Sequence, residues 1–251
     1  MGCQRSGTSL LRRILDSHSH IACPPESKFI LPSTQLLRDE RSLAGLDSMG
    51  YARSEIERSL AEFVRSFFDR YSETQGKMRW ADKSPSNIDC LAELWTLFKP
   101  DVRFVIIVRN GMDVAFSLAD PHRHYPAINE HVARADGNVP VGAGRFWAEQ
   151  NEKIEVLRST RPEACFRLRY EELTANPLSV LPPMFEFLQE PWEPKVIDYT
   201  RFPHHAGFED PDVRRRTRIE PNSGKHKAWP LDVQRAVRLA CGPQLQKLGY
   251  E

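Results

Sequence analysis

The spacing of apolar residues predicts an alternation of helices and strands along the chain. Residues 52–74 place apolar side chains every three to four positions, as one face of a long amphipathic helix requires. The run VRFVIIV at 102–108 is dominated by β-branched and aromatic residues and ends just before the Asn110-Gly111 break. Such a run is typical of a strand that is covered on both faces.

The same criteria predict further elements on both sides of that strand. We expect short strands within 78–82 and 165–170, and helices after Gly7 and at about 111–119, 143–158 and 231–247. Strands that alternate with helices predict an α/β fold with a parallel sheet flanked by helices on both faces. The sequence shows no repeat and no clear linker, so we expect one domain over residues 1–251.

The segment from 198 to 230 breaks this alternation. It is rich in Pro, His, Arg and Gly and has no apolar period. We interpret it as a long functional loop before the last helix. Its stretch at 213–229 concentrates arginine and lysine, which can supply cations to an anionic ligand or can form a solvated basic loop.

Composition narrows the class of partner. The chain has 251 residues with 35 basic and 34 acidic side chains, so bulk attraction to nucleic acid or to an anionic membrane is not expected. No apolar run approaches the roughly 20 residues that a membrane span needs. The five cysteines are widely spaced, which predicts reduced thiols, a cytoplasmic location and no metal site.

The N-terminal stretch GCQRSGTS at 2–9 carries the first candidate chemistry. Its glycines have the spacing of the phosphate-binding pattern G-x-x-x-x-G-K-[ST], but Thr8 occupies the lysine position. The loop runs into a helix N-terminus, where backbone N–H groups and the helix dipole favour an anion. Only Met1 precedes Gly2, so we expect the strand that normally leads into such a loop to be absent or truncated in this fold.

Several segments together resemble one family. The string QRSGTSLLRRILDSHSHIACPPESKF at 4–29 resembles the 5'-phosphosulfate loop of sulfotransferases that use 3'-phosphoadenosine 5'-phosphosulfate (PAPS). It is most similar to the tyrosylprotein and bacterial branches. FVIIVRNGMDVAFSL at 104–118 resembles the family's 3'-phosphate segment, and DKSPSN at 82–87 resembles its K-[DTS]-P turn. The stretch from 169 to 192 and the FW pair at 146 and 147 also match, so the resemblance covers most of the chain.

The resemblance implies a role for individual residues. Glu26 falls at the family's general base, and Lys83 falls at its cation beside the transferring sulfuryl group. The implied donor-binding residues are Arg5, Ser6, Gly7, Thr8 and Ser9 for the 5'-phosphosulfate, Arg109 and Ser117 for the 3'-phosphate, and Tyr170, Ser223 and Lys225 or Lys227 around the cofactor. The implied acceptor carries a hydroxyl group, as in a small molecule, a carbohydrate or a peptide tyrosine.

Sulfuryl transfer itself requires such a set of groups. The acceptor hydroxyl must lose its proton as the S–O bond forms, so a carboxylate near the acceptor oxygen is useful. Charge grows on the leaving oxygen, which a lysine stabilises in the transition state. PAPS has no γ-phosphate, so the lysine and the Mg²⁺ of kinase chemistry are not required. The absence of a γ-phosphate accounts for Thr8 at the lysine position of the loop pattern.

Other interpretations of the same residues stay open at this level. Glu26 could stabilise the first turn of a helix that begins near Pro25, and Lys83 could be a solvated charge. Arg109 could form a structural ion pair, and Ser117 could face solvent. The chain could instead be a P-loop kinase or another nucleotide phosphotransferase, or an inactive nucleotide-binding protein, and the nucleotide and metal requirement would separate these classes.

Overall fold

The protein contains both helices and short strands, described by a computed structural model over residues 1–250. The strands are β1 (Ile21–Ala22), β2 (Arg79–Trp80), β3 (Phe104–Val108) and β4 (Cys165–Arg169). The helices are α1 (Thr8–Asp16), α2 (Ile30–Thr34), α3 (Glu40–Ser48), α4 (Arg53–Thr74), α5 (Leu91–Phe98), α6 (Gly111–Leu118), α7 (Asn129–Ala133), α8 (Val139–Thr160), α9 (Tyr170–Ala175), α10 (Pro177–Phe187), α11 (Pro211–Arg215) and α12 (Leu231–Lys247).

The chain divides into two compact units. Unit 1 comprises Met1, 9–104 and 185–219, and unit 2 comprises 2–8, 105–184 and the residues from 220 onward. Three elements, α1, β3 and α10, contain residues of both units.

Unit 1 is built around the apolar face of α4. Ile56, Leu60, Val64 and Phe68 recur every four residues and are buried, as the sequence period predicts. Phe68 stacks on Trp80 of β2 with ring centroids 4.5 Å apart. The helix also packs against α5 and α2.

The two strands of unit 1 form a short parallel pair. Ile21 pairs with Arg79 and Ala22 with Trp80. Pro24 and Pro25 follow β1 closely, and proline has no N–H to donate to a ladder, so the pairing cannot extend far.

Unit 2 centres on β3, whose five residues are all buried, and β3 pairs with β4. Helix α6 follows β3 directly and is capped by Asn110, whose side chain accepts a hydrogen bond from the Met112 N–H. It packs against α8 and α12. The contact with α8 requires a glycine, because a Cβ at Gly111 would lie 2.6 Å from the Trp147 ring.

The predicted helices and strands are confirmed with small shifts of their ends. The mixed helix-and-sheet class is also as expected, but the single sheet is wrong in detail, since the strands of the described chain form two two-stranded pairs. The 198–230 segment is largely irregular and contains only short helical turns such as α11. The five cysteines are free thiols and four are buried, whereas the expected cytoplasmic location stays a prediction. Over residues 1–250, no helix combines the length and apolar composition that crossing a membrane demands.

Candidate active site

The loop before α1 has a backbone that few residues tolerate. Arg5 and Gly7 both have left-handed backbone angles, with φ of 69° and 93°. A Cβ at Gly7 would lie 2.4 Å from Cδ2 of Tyr170, so the close approach of that ring also requires glycine. The loop leads into the first turn of α1, whose N–H groups have no partner within the helix.

Arg5 contacts a second segment that the sequence had marked. Its Nε donates a hydrogen bond of 2.8 Å to Oγ of Ser117 on α6. Its guanidinium carbon lies 5.9 Å from the ring centroid of Tyr125. Ser117 therefore holds Arg5 and does not simply face solvent.

Arg109, the residue that follows β3, connects three parts of unit 2. Its Nη1 donates to the carbonyl of Arg5 at 2.8 Å, and its Nη2 donates to the carbonyl of Asn222. The guanidinium carbon lies 4.5 Å from the ring centroid of Tyr170. Burial lowers the pKa of Arg109 below its ordinary value. Both of these hydrogen bonds go to backbone carbonyls, so Arg109 orders two loops in addition to carrying charge.

Among residues 1–250, two of the buried polar atoms without a hydrogen-bond partner belong to the N-terminal loop and to the residue after β3. They are Oγ of Ser6, a residue 1% exposed, and Nε of Arg109, a residue 6% exposed. Leaving such an atom unpaired costs about 1–3 kcal/mol, so native proteins rarely do so without a reason. A hydroxyl and a guanidinium N–H are both donors that an oxyanion can satisfy. These residues therefore fit a bound phosphate or sulfate group.

The late loop of unit 2 is fastened to α6 by Asp113. This buried carboxylate accepts from the N–H of Gly224 at 2.8 Å and from Nδ1 of His226 at 2.9 Å. The ring of Trp229 packs on Phe116, with centroids 5.1 Å apart. Sequence reasoning did not identify this role of Asp113. The loop also carries the three side chains that the sequence predicts around the cofactor, and all three are exposed: Ser223, Lys225 and Lys227.

Strand pairing in unit 1 explains why Glu26 and Lys83 meet. Glu26 lies four residues after β1, and Lys83 lies three residues after β2. Because β1 and β2 are parallel neighbours, the segments that follow them leave from the same edge. The carboxyl ends of parallel strands are where α/β proteins place their ligands.

The two side chains form a close ion pair. Nζ of Lys83 lies 2.6 Å from Oε1 of Glu26 and 3.4 Å from Oγ of Ser9. Lys83 is only 5% exposed, so its interpretation as a solvated charge is wrong. Glu26 lies in a non-helical segment and α2 begins only at Ile30, so its interpretation as a helix-capping charge is wrong as well.

A half-buried aspartate, Asp82, shapes the turn that carries Lys83. Burial raises the pKa of Asp82 above its ordinary value. Its Oδ2 accepts from Nδ2 of Asn87 at 2.6 Å, and its Oδ1 accepts from the Ser84 hydroxyl at 3.3 Å. The turn is thereby held by side-chain hydrogen bonds of its own residues.

A segment that the sequence described only as an irregular loop reaches Glu26. The Glu26 N–H donates to the carbonyl of Phe208 at 3.0 Å. Lys28 has a left-handed backbone with φ of 57°, and its Nζ lies 3.7 Å from the centroid of the exposed Phe208 ring. No periodicity marks this segment, and it is about 180 residues away in sequence, so sequence patterns could not have identified the contact.

One group of side chains in residues 1–250 has the ligand types of a metal site. Candidate atoms of His18, His20 and Glu190 lie within 4.8 Å of one another. Both nitrogens of His18 are already used, because Nε2 pairs with the Pro191 carbonyl and Nδ1 accepts from the His20 N–H. The expectation of no metal stays a prediction.

Comparison with known proteins gives consistent matches. A family model described as "Sulfotransferase family" matches residues 1–194. The chain is 26% identical over its whole length to protein-tyrosine sulfotransferase 1 of Danio rerio, of which it covers 71%. It is 24% identical over its whole length to protein-tyrosine sulfotransferase of Drosophila melanogaster, and it spans 50% of that relative's length.

Solved structures show the same fold. A sulfotransferase domain from the curacin biosynthetic pathway is covered to 96%, with a TM-score of 0.67 and 20% identity. A sulfotransferase domain from the olefin synthase of Synechococcus PCC 7002 is covered to 93%, with a TM-score of 0.63 and 19% identity. Both alignments cover 100% of this chain.

Proposed function

Because this chain belongs to the sulfotransferase family, we propose that it transfers a sulfuryl group from PAPS to a hydroxyl acceptor, with Glu26 as the general base. One observation carries the proposal. A buried lysine, Lys83, contacts both the carboxylate of Glu26 and the hydroxyl of Ser9, the residue after Thr8 in the N-terminal loop motif. A base, a cation and a hydroxyl donor are the groups that sulfuryl transfer needs.

We assign binding of the sulfuryl donor, PAPS, to the following residues. The loop from Arg5 to Thr8, with Ser9, is assigned to the 5'-phosphosulfate, and Arg109 with Ser117 to the 3'-phosphate. The unpaired donors on Ser6 and Arg109 support this assignment. Tyr170, Ser223 and either Lys225 or Lys227 are assigned to the rest of the cofactor. PAPS supplies the activated sulfuryl group and leaves as adenosine 3',5'-bisphosphate.

Glu26, Lys83 and Ser9 then divide the chemistry between them. Glu26 accepts the proton of the acceptor hydroxyl as that oxygen attacks, most simply by in-line displacement. Lys83 directs its charge at the oxygen of the leaving phosphate, where negative charge grows in the transition state. The hydroxyl of Ser9, within 3.4 Å of Lys83, adds a donor at the same place. No step requires a metal ion, which is consistent with Thr8 at the lysine position of the loop.

Nucleotide preference tests the proposal directly. Adenosine 3',5'-bisphosphate without Mg²⁺ is expected to raise the melting temperature, because a ligand that binds only the folded chain stabilises it by mass action. ATP with Mg²⁺ is the comparison. If ATP with Mg²⁺ stabilises the chain and adenosine 3',5'-bisphosphate does not, the proposed sulfuryl transfer is contradicted and phosphoryl transfer is favoured.

The acceptor and the domain organisation belong to the same proposal. We propose that residues 1–251 form one sulfotransferase-like domain. We also propose that the acceptor carries a free hydroxyl. Incubation with labelled PAPS and a panel of phenols, sugars, aliphatic alcohols and tyrosine peptides identifies the acceptor class. Transfer to none of them, with bisphosphate binding intact, would instead support an inactive nucleotide-binding protein.

A further inference from the structure

Glu209 is a fully buried carboxylate in the irregular segment that precedes α11. It accepts two hydrogen bonds from Arg13, at 2.8 and 3.2 Å, and one from Arg214 at 2.8 Å. Arg12 adds a longer contact of 3.4 Å. The side chain of Glu209 is 0% exposed, and hydrogen bonds from charged donors are the strong ones. Both Arg12 and Arg13 belong to α1, so Glu209 fastens this segment to that helix.

The two residues beside Glu209 contact the candidate catalytic groups. On one side, the Phe208 carbonyl accepts from the Glu26 N–H at 3.0 Å. On the other side, the Asp210 N–H donates to Oγ of Ser9 at 3.2 Å. The same Ser9 hydroxyl lies 3.4 Å from the Lys83 ammonium. Glu209 therefore lies between two residues that contact the site. Phe208 contacts Glu26, the proposed base, and Asp210 contacts Ser9, which lies beside Lys83.

We propose that Glu209 is a positioning residue, which holds Phe208 and Asp210 so that Glu26 and Ser9 keep their geometry around Lys83. The inference rests on the proposed sulfuryl transfer. Catalytic groups have to be held closely, since a misplacement of about 1 Å can reduce a rate by roughly 100-fold. The side-chain hydrogen bonds of Glu209 described above all come from arginines, so it acts through its neighbours.

The test compares Glu209→Gln with the wild-type chain. This substitution keeps the shape of the side chain but removes its charge, so the three arginines lose their common anionic acceptor. We expect kcat for sulfuryl transfer to fall by about 10-fold to 100-fold. The affinity for adenosine 3',5'-bisphosphate should change by less than about threefold, because Glu209 is not among its assigned ligands. An unchanged kcat in a folded Glu209→Gln chain would overturn the proposal.

Glu193→Gln is the matched control. Glu193 is another carboxylate of unit 1 with several partners, since it accepts from the Ser19 N–H at 2.9 Å and from the Ser19 hydroxyl and lies 3.2 Å from Nζ of Lys195. None of the hydrogen bonds and ion pairs of Ser19 and Lys195 in residues 1–250 goes to Glu26, Ser9 or Lys83. Glu193→Gln should therefore leave kcat within about twofold. An equal loss of kcat in both variants would show a general loss of stability and would contradict positioning.

A double-mutant cycle separates positioning from a merely structural effect. If Glu209 acts on Ser9 through Asp210, the effects of Glu209→Gln and Ser9→Ala on kcat should be non-additive. Additive effects would overturn that route. Should Glu209→Gln fail to fold, Arg214→Lys serves as a milder change, because the Arg214 side chain is 43% exposed. Arg214 also donates a hydrogen bond to the Gly207 carbonyl at 2.7 Å. Arg214→Lys should reduce kcat in the same direction.

Amide hydrogen exchange reports on the same geometry without any activity. In Glu209→Gln the Glu26 and Asp210 amides should exchange faster, because their acceptors, the Phe208 carbonyl and the Ser9 hydroxyl, are no longer held in place. Glu193→Gln should leave both exchange rates unchanged. Unchanged exchange at both amides would overturn the positioning role. A wild-type chain that transfers no sulfuryl group would instead contradict the proposed function, so the two failures are distinguishable.

Discussion

Glu26 is the residue whose substitution most directly tests the chemistry. Glu26→Gln keeps the size of the side chain but cannot take up a proton, so transfer should fall by about 100-fold or more. Adenosine 3',5'-bisphosphate should still bind, because Glu26 is not among its assigned ligands. Labelled-PAPS turnover and calorimetric titration measure the two quantities. The exposed Glu73→Gln on α4 is the control, and activity surviving in Glu26→Gln would exclude Glu26 as the base.

Gly7 allows a test of the loop that is independent of catalysis. Gly7→Ala places a methyl group 2.4 Å from Tyr170 on a backbone with φ of 93°. Gly137→Ala is a matched control in the same unit, because its φ is 81° and no atom lies within 4 Å of the added Cβ. The left-handed backbone alone costs about 1–2 kcal/mol. We therefore expect both variants to lose stability in thermal melts, but only Gly7→Ala to lose bisphosphate binding.

At the scale of elements, the attachment of the late loop to α6 is the feature to test. Asp113→Ala removes the acceptor for Gly224 and His226, so the loop that carries Ser223 should loosen and bisphosphate affinity should fall about tenfold. His226→Asn keeps a donor near the position of Nδ1 and should bind within about threefold of wild type, whereas His226→Leu should not.

The control for this attachment is Asp120→Ala. Asp120 is also a carboxylate of unit 2 and accepts a hydrogen bond from the His122 N–H at 3.0 Å, but the bond is local. Calorimetric titration with adenosine 3',5'-bisphosphate measures all four variants. Equal affinity in Asp113→Ala and Asp120→Ala would show that the loop does not need its anchor for binding.

These elements also show what the sequence could and could not predict. The α4 period and the buried FVIIV run are local patterns, and both elements form where they were expected. The Glu26–Lys83 pair joins residues 57 positions apart, and the family resemblance marked both as site residues. The Asp113–His226 and Arg13–Glu209 contacts have no local pattern, because burial and pairing of charges arise only in the folded chain. The expected single sheet was wrong because the choice of pairing partners depends on contacts between segments far apart in the sequence, which the apolar period of each strand does not encode.

At the scale of the whole molecule, buried and paired carboxylates should make stability depend on pH. Burial by itself would raise the pKa of Glu193, but hydrogen bonds from Ser19 and Lys195 outweigh it and lower that pKa from 4.5 to about 2. Burial by itself would also raise the pKa of Asp16 and of Glu209. Hydrogen bonds from His204 to Asp16 and from Arg13 to Glu209 outweigh it, so the pKa of both carboxyls is lowered. Asp82 acts in the opposite direction, because burial raises its pKa.

The sign of the pH effect follows from proton binding. A carboxyl group with a lowered pKa binds fewer protons in the folded chain than in the unfolded chain, so acid favours unfolding between the two pKa values. These three groups outnumber Asp82, and the melting temperature should therefore fall as the pH drops from about 4.5 to about 2. Glu193→Gln removes one of the three, so its stability at pH 7 should be lower and its decline with acid shallower. The exposed Glu62→Gln should leave both unchanged, and equal declines in wild type and Glu193→Gln would show that Glu193 is not held as its hydrogen bonds indicate.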